Sequence, residues 1–180
     1  MARQFRGTEY PAFTREEGDR HPYGSPMSEK KLVIESFTIA SGYPFLSNFY
    51  PSTIYVEGKS YKTVEHAYQA HKTLDESNRD LIRRASSPAE AKKLGRAIVL
   101  RPDWDAVKID LMRSFIRKKF ENPFLEPLLI NTSDAELIYG NTWNDTYWGV
   151  CRGTGLNWLG KILMEVRKEI VISAVSNVNK

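Results

Sequence analysis

The spacing of hydrophobic residues divides the chain into a part with strand-like patterns and a longer helical part. KLVIESFTIA (31–40) and TIYVEGKSY (53–61) are short apolar or alternating runs that predict β-strands, and the second run turns back at Glu57-Gly58. Further along, apolar residues recur every three or four positions, which predicts helices. One more short run, AELIY (135–139), predicts a late strand. The pattern favours an α+β fold, a mostly helical single domain with a small β-sheet.

Capping signals predict where several helices begin and end. Thr63 is placed as the N-cap of a first helix. Ser87 is the predicted N-cap of a second helix, Glu90 completes its capping box, and Gly95 ends it. The longest periodic run is DWDAVKIDLMRSFIRKKF (103–120), with a predicted apolar stripe of Val107, Leu111, Phe115 and Ile116.

Composition predicts three regions along the chain. Residues 1–30 are rich in charge, Gly and Pro and lack hydrophobic periodicity, so we expect a flexible N-terminal arm. The folded domain is predicted to span residues 31–175. Residues 176–180 are predicted to form a short C-terminal tail.

Charge and cysteine content narrow the function classes. The 180-residue chain is 41% hydrophobic and has a net charge of +4, which permits an anionic ligand such as a nucleotide without requiring one. The single cysteine, Cys151, excludes an internal disulfide and indicates a reducing, cytoplasmic location. No apolar run approaches the ~20 residues of a membrane span, and the N-terminus lacks the apolar segment of a secretory signal. We therefore expect no membrane partner.

The stretch YKTVEHAYQAHKT (61–73) carries the first candidate chemistry. At 100° per residue, Glu65 and Lys72 fall on one helical face, whereas His66 and His71 point in different directions and cannot share a metal. Three His and one Cys do not favour a zinc site, and we expect no metal. Either Glu65 and Lys72 lie on a solvated surface, or they face a cleft where the carboxylate transfers protons and the amine acts as a nucleophile.

Two aromatic loops form the second candidate site. WNDTYWGVCRGTGLN (143–157) combines tryptophans with glycines, of which Gly149 is placed for close backbone approach to a ligand. Asn157 is the predicted N-cap of the last helix, whose free N–H groups suit a phosphate. YPFLSNFYP (43–51) is the other loop. The alternative for both is that they close the core; Trp104 likewise either anchors the core or stacks on a base.

Seven motifs in order resemble the NADAR family, the YbiA-like N-glycosidases, from about residue 36 to residue 170. They are FLSNFY, TVEHAYQAHK, SPAEAKKLGR, DWDAVKIDLM, KFENP, NDTYWG and GLNWLGKILMEVR. The resemblance implies a YbiA-like fold. It places the family's catalytic glutamate on Glu65, its active-site lysine on Lys72 and its aspartate on Asp145. It also places the family's tryptophan on Trp104 and its Ser-Asn pair on Ser47 and Asn48. Phe49 and Trp148, from the two aromatic loops, are predicted to add stacking surfaces for the substrate.

The same resemblance implies the reaction. Members of the family cleave N-glycosidic bonds to ribose, in ADP-ribose attached to guanine or in phosphoribosylamino-pyrimidine intermediates of riboflavin synthesis. It implies a nucleotide-type small-molecule substrate, with ADP-ribosylated nucleic acid as another candidate, and no metal or redox cofactor. Tyr139 departs from the pattern, because many relatives carry Glu at that place. Two alternatives are a module that binds ADP-ribose or NAD without turnover, and a nucleic-acid-binding protein that uses basic clusters.

Overall fold

Six α-helices and three pairs of very short strands make up the part of the chain that the structure describes, residues 32–178. The structure is a computed structural model. The helices are α1 (Val64–Ala70), α2 (Glu76–Arg83), α3 (Pro88–Leu94), α4 (Trp104–Lys119), α5 (Glu126–Ile130) and α6 (Trp158–Val178). The strands are β1 (Val33–Ile34), β2 (Ile54–Val56), β3 (Lys59–Tyr61), β4 (Glu136–Leu137), β5 (Gly140–Asn141) and β6 (Val150–Cys151), and a short 3₁₀ helix spans Pro44–Leu46.

The strands pair two by two, and this confirms the predicted α+β class. β1 runs parallel to β4, β2 is antiparallel to β3, and β5 runs parallel to β6. The prediction of one small sheet is corrected to three separate two-stranded pairs. Only two residues of the run 31–40 are paired as a strand, Val33 with Glu136 and Ile34 with Leu137. The β2–β3 hairpin turns at Glu57 and Gly58, whose φ angles of 50° and 75° suit a tight two-residue turn.

Helix α1 lies inside the helical layer and packs against α2, α3 and α4. Every one of its residues is buried, including the polar ones. The alternative of a solvated surface helix is therefore wrong. Thr63 caps the helix as predicted, since its hydroxyl accepts a hydrogen bond from the His66 N–H. The largest fully buried side chains among the described residues include Phe115, Phe120, Leu46, Ile54, Ile82 and Met112.

The contact between α1 and α3 depends on a glycine. Gly95 ends α3 as predicted, but its φ of −66° is right-handed and needs no glycine. A Cβ at this position would collide with the Gln69 side chain, so Gly95 is there for space. Glu90 also differs slightly from the prediction, since its carboxylate accepts hydrogen bonds from Ser86 instead of closing a capping box on Ser87.

Helix α6 packs against α4, α5 and β4. Two ion pairs join it to α4, Arg113 with Glu165 at 3.1 Å and Arg117 with Glu169 at 2.7 Å. The helix continues to Val178, so the domain end predicted at residue 175 falls within it. Within residues 32–178, no helix is both long and apolar enough to cross a membrane. The predicted arm, residues 1–30, lies outside the described residues.

Candidate active site

A cavity of about 170 Å³ opens beside α1, and most of the predicted site residues line it. Ten residues were predicted from the sequence, and seven of them meet here. Glu65 and Lys72 come from α1 and the turn after it, and Asp145 comes from the loop between β5 and β6. The complete lining is Asn48, Phe49, Glu65, Tyr68, Gln69, Lys72, Lys92, Trp104, Met112, Tyr139, Asp145, Trp148 and Leu159.

Glu65 is a buried carboxyl with a single side-chain partner among the described residues. It is 6% exposed, and the Gln69 Nε2 group donates a hydrogen bond to its Oε1 atom at 2.7 Å. Burial raises the pKa of Glu65, and this outweighs the hydrogen bond from Gln69 and the positive charges of Lys92 and Lys72, which lower it. A carboxyl with a raised pKa is suited to donating a proton near neutral pH.

Lys72 does not lie on α1, because the helix ends at Ala70 and His71 caps it. It belongs to the following turn, where its N–H donates to the Gln69 carbonyl at 3.3 Å. Its Nζ atom lies 5.6 Å from the centre of the Tyr68 ring. Burial lowers the pKa of Lys72, although the nearby Glu65 carboxylate acts in the opposite direction. This shift favours the neutral amine, which is the nucleophilic form.

Asp145 is held by its own loop. Asn141 clamps its backbone, since the Asn141 amide donates to the Asp145 carbonyl at 2.8 Å and its Oδ1 accepts from the Asp145 N–H at 3.0 Å. The Asp145 carboxylate in turn accepts a hydrogen bond from the Trp148 N–H at 2.9 Å. These contacts fix the second carboxylate of the cavity on a short, well-braced segment.

Aromatic rings form the walls of the cavity. Tyr68 contacts Trp104 with ring centres 5.1 Å apart and meets Trp148 edge-on at 5.3 Å. Trp104 is only 8% exposed, so it contributes both to the core and to the cavity. Burial, reinforced by the charge of Glu65, raises the pKa of Tyr68 far above its usual range, so this phenol keeps its proton.

Lys119 holds the loop that contains Ser47, Asn48 and Phe49 in place through a hydrogen bond. This lysine is 1% exposed, and its Nζ atom donates to the Ser47 carbonyl at 2.7 Å. Burial lowers the pKa of Lys119 to about 7. The Asn48 carbonyl accepts from the Glu65 N–H at 3.1 Å, which ties the loop to α1. Asn48 and Phe49 line the cavity, whereas Ser47 lines only a neighbouring one.

Gly149 and Asn157 do not line either cavity. The missing side chain of Gly149 leaves room for the Tyr139 carbonyl, not for a ligand. Asn157 directly precedes α6 as predicted, and its carbonyl accepts the first helical hydrogen bond, from the Lys161 N–H at 3.0 Å. Its φ is 53°, and its side chain accepts from the Tyr139 N–H and donates to the Leu137 carbonyl instead of capping the helix.

At the start of α6, where a phosphate site was predicted, two N–H groups already have partners. The N–H groups of Trp158 and Leu159 donate to the carbonyls of Tyr147 and Trp148, at 3.3 and 3.0 Å. These donors are therefore occupied by the preceding loop.

Several residues that line the cavity were not predicted as site residues from the sequence. Gln69 lies four residues after Glu65, so helical spacing was enough to find it. Lys92 comes from α3, and no local signal connects it with Glu65. Tyr139 was noted only as a departure from a family pattern, yet it lies in the cavity wall. Burial, together with the charges of Glu65 and Asp145, raises the pKa of Tyr139 well above its usual range.

A second, larger cavity adjoins the first. Its volume is about 500 Å³, and it shares Phe49, Lys92 and Tyr139 with the inner cavity. We refer to the two as the inner and the outer cavity. Across the described residues, no three His, Cys, Asp or Glu side chains are grouped in a way that would hold a metal ion. The outer cavity is lined by Phe37, Thr38, Ser47, Phe49, Ala89, Lys92, Lys93, Arg96, Tyr139, Gly140 and Trp143.

Comparison with known proteins finds a matching family model and several similar sequences. A family model, the NADAR domain, matches residues 36–171. The chain is 42% identical over 144 residues to the N-glycosidase YbiA of Escherichia coli strain K12, covering 78% of this chain and 89% of that protein. It is 38% identical over 144 residues to the chloroplastic riboflavin biosynthesis protein PYRR of Zea mays, covering 69% of this chain but 23% of that protein.

The fold comparison agrees with the sequence comparison. The NMR structure of the Escherichia coli protein YbiA superimposes with a TM-score of 0.71 at 39% sequence identity. The match covers 82% of this chain and 92% of that chain.

Proposed function

The chain belongs to the NADAR domain family, and we propose that it is an N-glycosidase that hydrolyses the bond between C1 of a ribose and a nitrogen of a base. The observation that carries the proposal is the inner cavity, where a buried carboxyl, a half-buried amine and a second carboxylate meet between aromatic walls. The names of its relatives, an N-glycosidase and a riboflavin biosynthesis protein, support the same reaction class.

The side chains of the inner cavity suit the charges that develop in this reaction. Breaking the C1–N bond leaves positive charge on the sugar and negative charge on the departing nitrogen. Glu65, with its raised pKa, donates a proton to that nitrogen. Asp145 lies in the same cavity and stabilises the cationic sugar by charge.

Lys72 acts as the nucleophile in the proposed mechanism. Its Nζ atom forms a bond to C1 while the C1–O4 bond of the ring opens and O4 takes up a proton. The C1–N bond to the base then breaks, the base leaves with a proton, and an imine links C1 to Lys72. Water adds to C1 and expels the amine, so that the free sugar and the original lysine are restored. The lowered pKa of Lys72 supports the first step.

For the substrate we propose ADP-ribosylated guanine, as a nucleoside or within nucleic acid, or a related phosphoribosylamino-pyrimidine. Both are nucleotide-type compounds with a ribose C1–N bond. Tyr68, Trp104 and Trp148 offer ring surfaces for the base or the sugar. The basic lining residue Lys92 suits a phosphate.

The direct test is product analysis. The full chain is incubated with ADP-ribosylated guanosine and, separately, with a phosphoribosylamino-pyrimidine, and the products are separated by mass spectrometry. We expect release of the base-containing product from at least one substrate, and release slower by about 100-fold or more with Glu65→Gln. Tight binding of ADP-ribose without release from either substrate would reject the enzyme in favour of a non-catalytic binding module.

A further inference from the structure

The two carboxyl oxygens of Glu65 have different surroundings. The Oε1 atom accepts a hydrogen bond from the Gln69 Nε2 group at 2.7 Å. The Oε2 atom has no hydrogen-bond partner within residues 32–178, and it is not one of the enclosed polar atoms that lack a partner. Since Glu65 lines the inner cavity, Oε2 is the oxygen that a ligand in this cavity can reach.

This difference determines which oxygen carries the acidic proton. A neutral carboxyl has one oxygen that bears the proton and one that only accepts. Because the Gln69 Nε2 group is a donor, it pairs with the accepting oxygen, and the proton is left on Oε2. After the proton has been given away, the same Nε2 group donates to a carboxylate, and hydrogen bonds to charged groups are stronger than those between neutral groups. Gln69 therefore stabilises the form of Glu65 that remains after proton transfer.

Folding alone does not account for a glutamine at this position. Gln69 is 4% exposed, and its Oε1 atom is enclosed without a hydrogen-bond partner among the described residues. A buried acceptor without a partner lowers stability, so an apolar side chain of similar size would suit the packing better. The half of the amide that does have a partner is the half that contacts Glu65.

The neighbouring helix leaves room for this amide. Helix α3 ends at Gly95, and a Cβ atom there would collide with the Cβ, Cδ and Oε1 atoms of Gln69. Gln69 also lies four residues after Glu65, so both side chains extend from the same face of α1. The helical spacing and the missing side chain of Gly95 together hold the amide against the Glu65 carboxyl.

We propose that Gln69 is a positioning residue that keeps the proton of Glu65 on Oε2, directed into the inner cavity, and stabilises the carboxylate formed when this proton passes to the leaving nitrogen. Gln69 acts through Glu65 and not on the substrate itself. This inference rests on the proposed function, in which Glu65 is the proton donor. The other charged or titratable groups that act on Glu65 are Lys72, Lys92, Asp145, Tyr68 and Tyr139.

A carbon-13 NMR titration of the Glu65 carboxyl in the full chain tests the contact without any substrate. The hydrogen bond from Gln69 lowers the pKa of Glu65, so its loss in Gln69→Met should raise this pKa further, by about 1 or more. Gln69→Leu should have the same effect and is the second variant if the methionine protein does not fold. The control is Asn131→Met, which removes an amide from an exposed position outside both cavities and should leave the pKa of Glu65 unchanged.

Steady-state kinetics give a second readout. In Gln69→Met the acid is weaker and its proton can lie on either oxygen, so we expect kcat to fall by about tenfold or more. KM should stay within about twofold, because Gln69 does not hold the substrate. Asn131→Met should have the kcat and KM of the unmodified protein.

Three results would overturn the role of Gln69. An unchanged pKa of Glu65 in the folded variants would show that the hydrogen bond contributes nothing, and a lowered pKa would show that Gln69 accepts the Glu65 proton instead of donating. A raised KM with an unchanged kcat would show that Gln69 binds the substrate. A raised pKa in a protein that releases no base would confirm the proton placement and reject the proposed reaction, whereas normal kcat in the variants would reject the role of Gln69 alone.

Discussion

Burial moves Glu65 and Lys72 towards their uncharged forms. It raises the pKa of the Glu65 carboxyl and lowers the pKa of the Lys72 amine, and their mutual attraction only reduces these shifts. A neutral carboxyl donates protons and a neutral amine attacks carbon, so the cavity favours the two states that the proposed reaction needs.

Glu65→Gln is expected to reduce turnover by about 100-fold or more, the usual contribution of an acid–base residue. The change keeps the shape, and Gln69 still finds an oxygen acceptor, so the melting temperature should stay close to that of the unmodified protein. Steady-state kinetics with the active substrate measure the effect. Glu121→Gln, on an exposed residue outside both cavities, is the control. Normal turnover in a folded Glu65→Gln protein would show that Glu65 is not the proton donor.

Lys72→Arg separates a covalent role from an electrostatic one. Arginine keeps the positive charge but cannot form an imine, so we expect turnover to fall by about 100-fold or more. Borohydride added during turnover should trap a ribose adduct on Lys72 of the unmodified protein, visible as added mass on the peptide that contains it. The control protein Lys168→Arg should turn over at the normal rate and should form the same trapped adduct on Lys72. Retained activity in Lys72→Arg together with no trapped adduct would mean that Lys72 acts by charge alone.

Lys119 should make stability depend on pH. Its pKa is about 7 in the folded protein and 10.5 as an ordinary lysine, so between these values the unfolded chain binds more protons. Raising the pH across this window therefore favours folding, by up to about 1.4 kcal/mol per pH unit. Denaturant unfolding from pH 7.5 to 9.5 should show this rise relative to Lys119→Met, which has no such proton. Lys118→Met, a change at the partly exposed neighbour, is the control. The difference in the free energy of unfolding between the unmodified protein and Lys118→Met should not change with pH. If the difference between the unmodified protein and Lys119→Met is also independent of pH, the pKa of Lys119 is not lowered by folding.

Helices and turns were predictable where their signals are local. The cap at Thr63 and the cap at Ser87 each involve an N–H three residues ahead, and both form as the sequence indicates. The Glu57-Gly58 turn is equally local. The extent of β1 was not predictable, because its length is set by a partner strand far along the chain.

The residues of the candidate site likewise fall into two groups, those that the sequence predicted and those whose position depends on the packing of distant elements. Glu65, Lys72 and Asp145 were identified by motif and spacing, and the structure brings them to one cavity. Lys92 was missed because its position depends on how α3 packs against α1. The helix start at Asn157 was predicted correctly, but the role of its side chain was misjudged, because its left-handed backbone and its contacts to the β4 region arise only in the folded chain.

Gly95→Ala tests the packing of α3 on α1. The new Cβ collides with Gln69, so we expect a loss of about 1–3 kcal/mol in the free energy of unfolding and a weakened Gln69–Glu65 hydrogen bond. Chemical denaturation measures the loss. Unchanged stability in Gly95→Ala, whose φ suits alanine, would show that the contact is not tight.

For the chain as a whole, we predict that residues 1 to 29 are dispensable. Among the described residues, the core and both cavities are built from residues 34 to 170, and the composition of the N-terminal stretch does not support a core. Deleting residues 1 to 29 should change the melting temperature by less than roughly 2 °C and leave turnover unchanged. Deleting through residue 35 also removes β1 and the buried Ile34, and should destabilise the domain strongly. A large effect of the shorter deletion would show that the stretch contributes to the fold or the site.

The pairing of β1 with β4 also bears on how the protein folds as the ribosome makes it. The two strands are about one hundred residues apart in the chain, and synthesis at ~5–20 residues per second separates their emergence by about 5–20 s. Helices α1 to α4 emerge within that interval and make contacts with one another that are closer in sequence. The first strand to be synthesised is therefore among the last to be paired, and until then its apolar residues are open to chaperones.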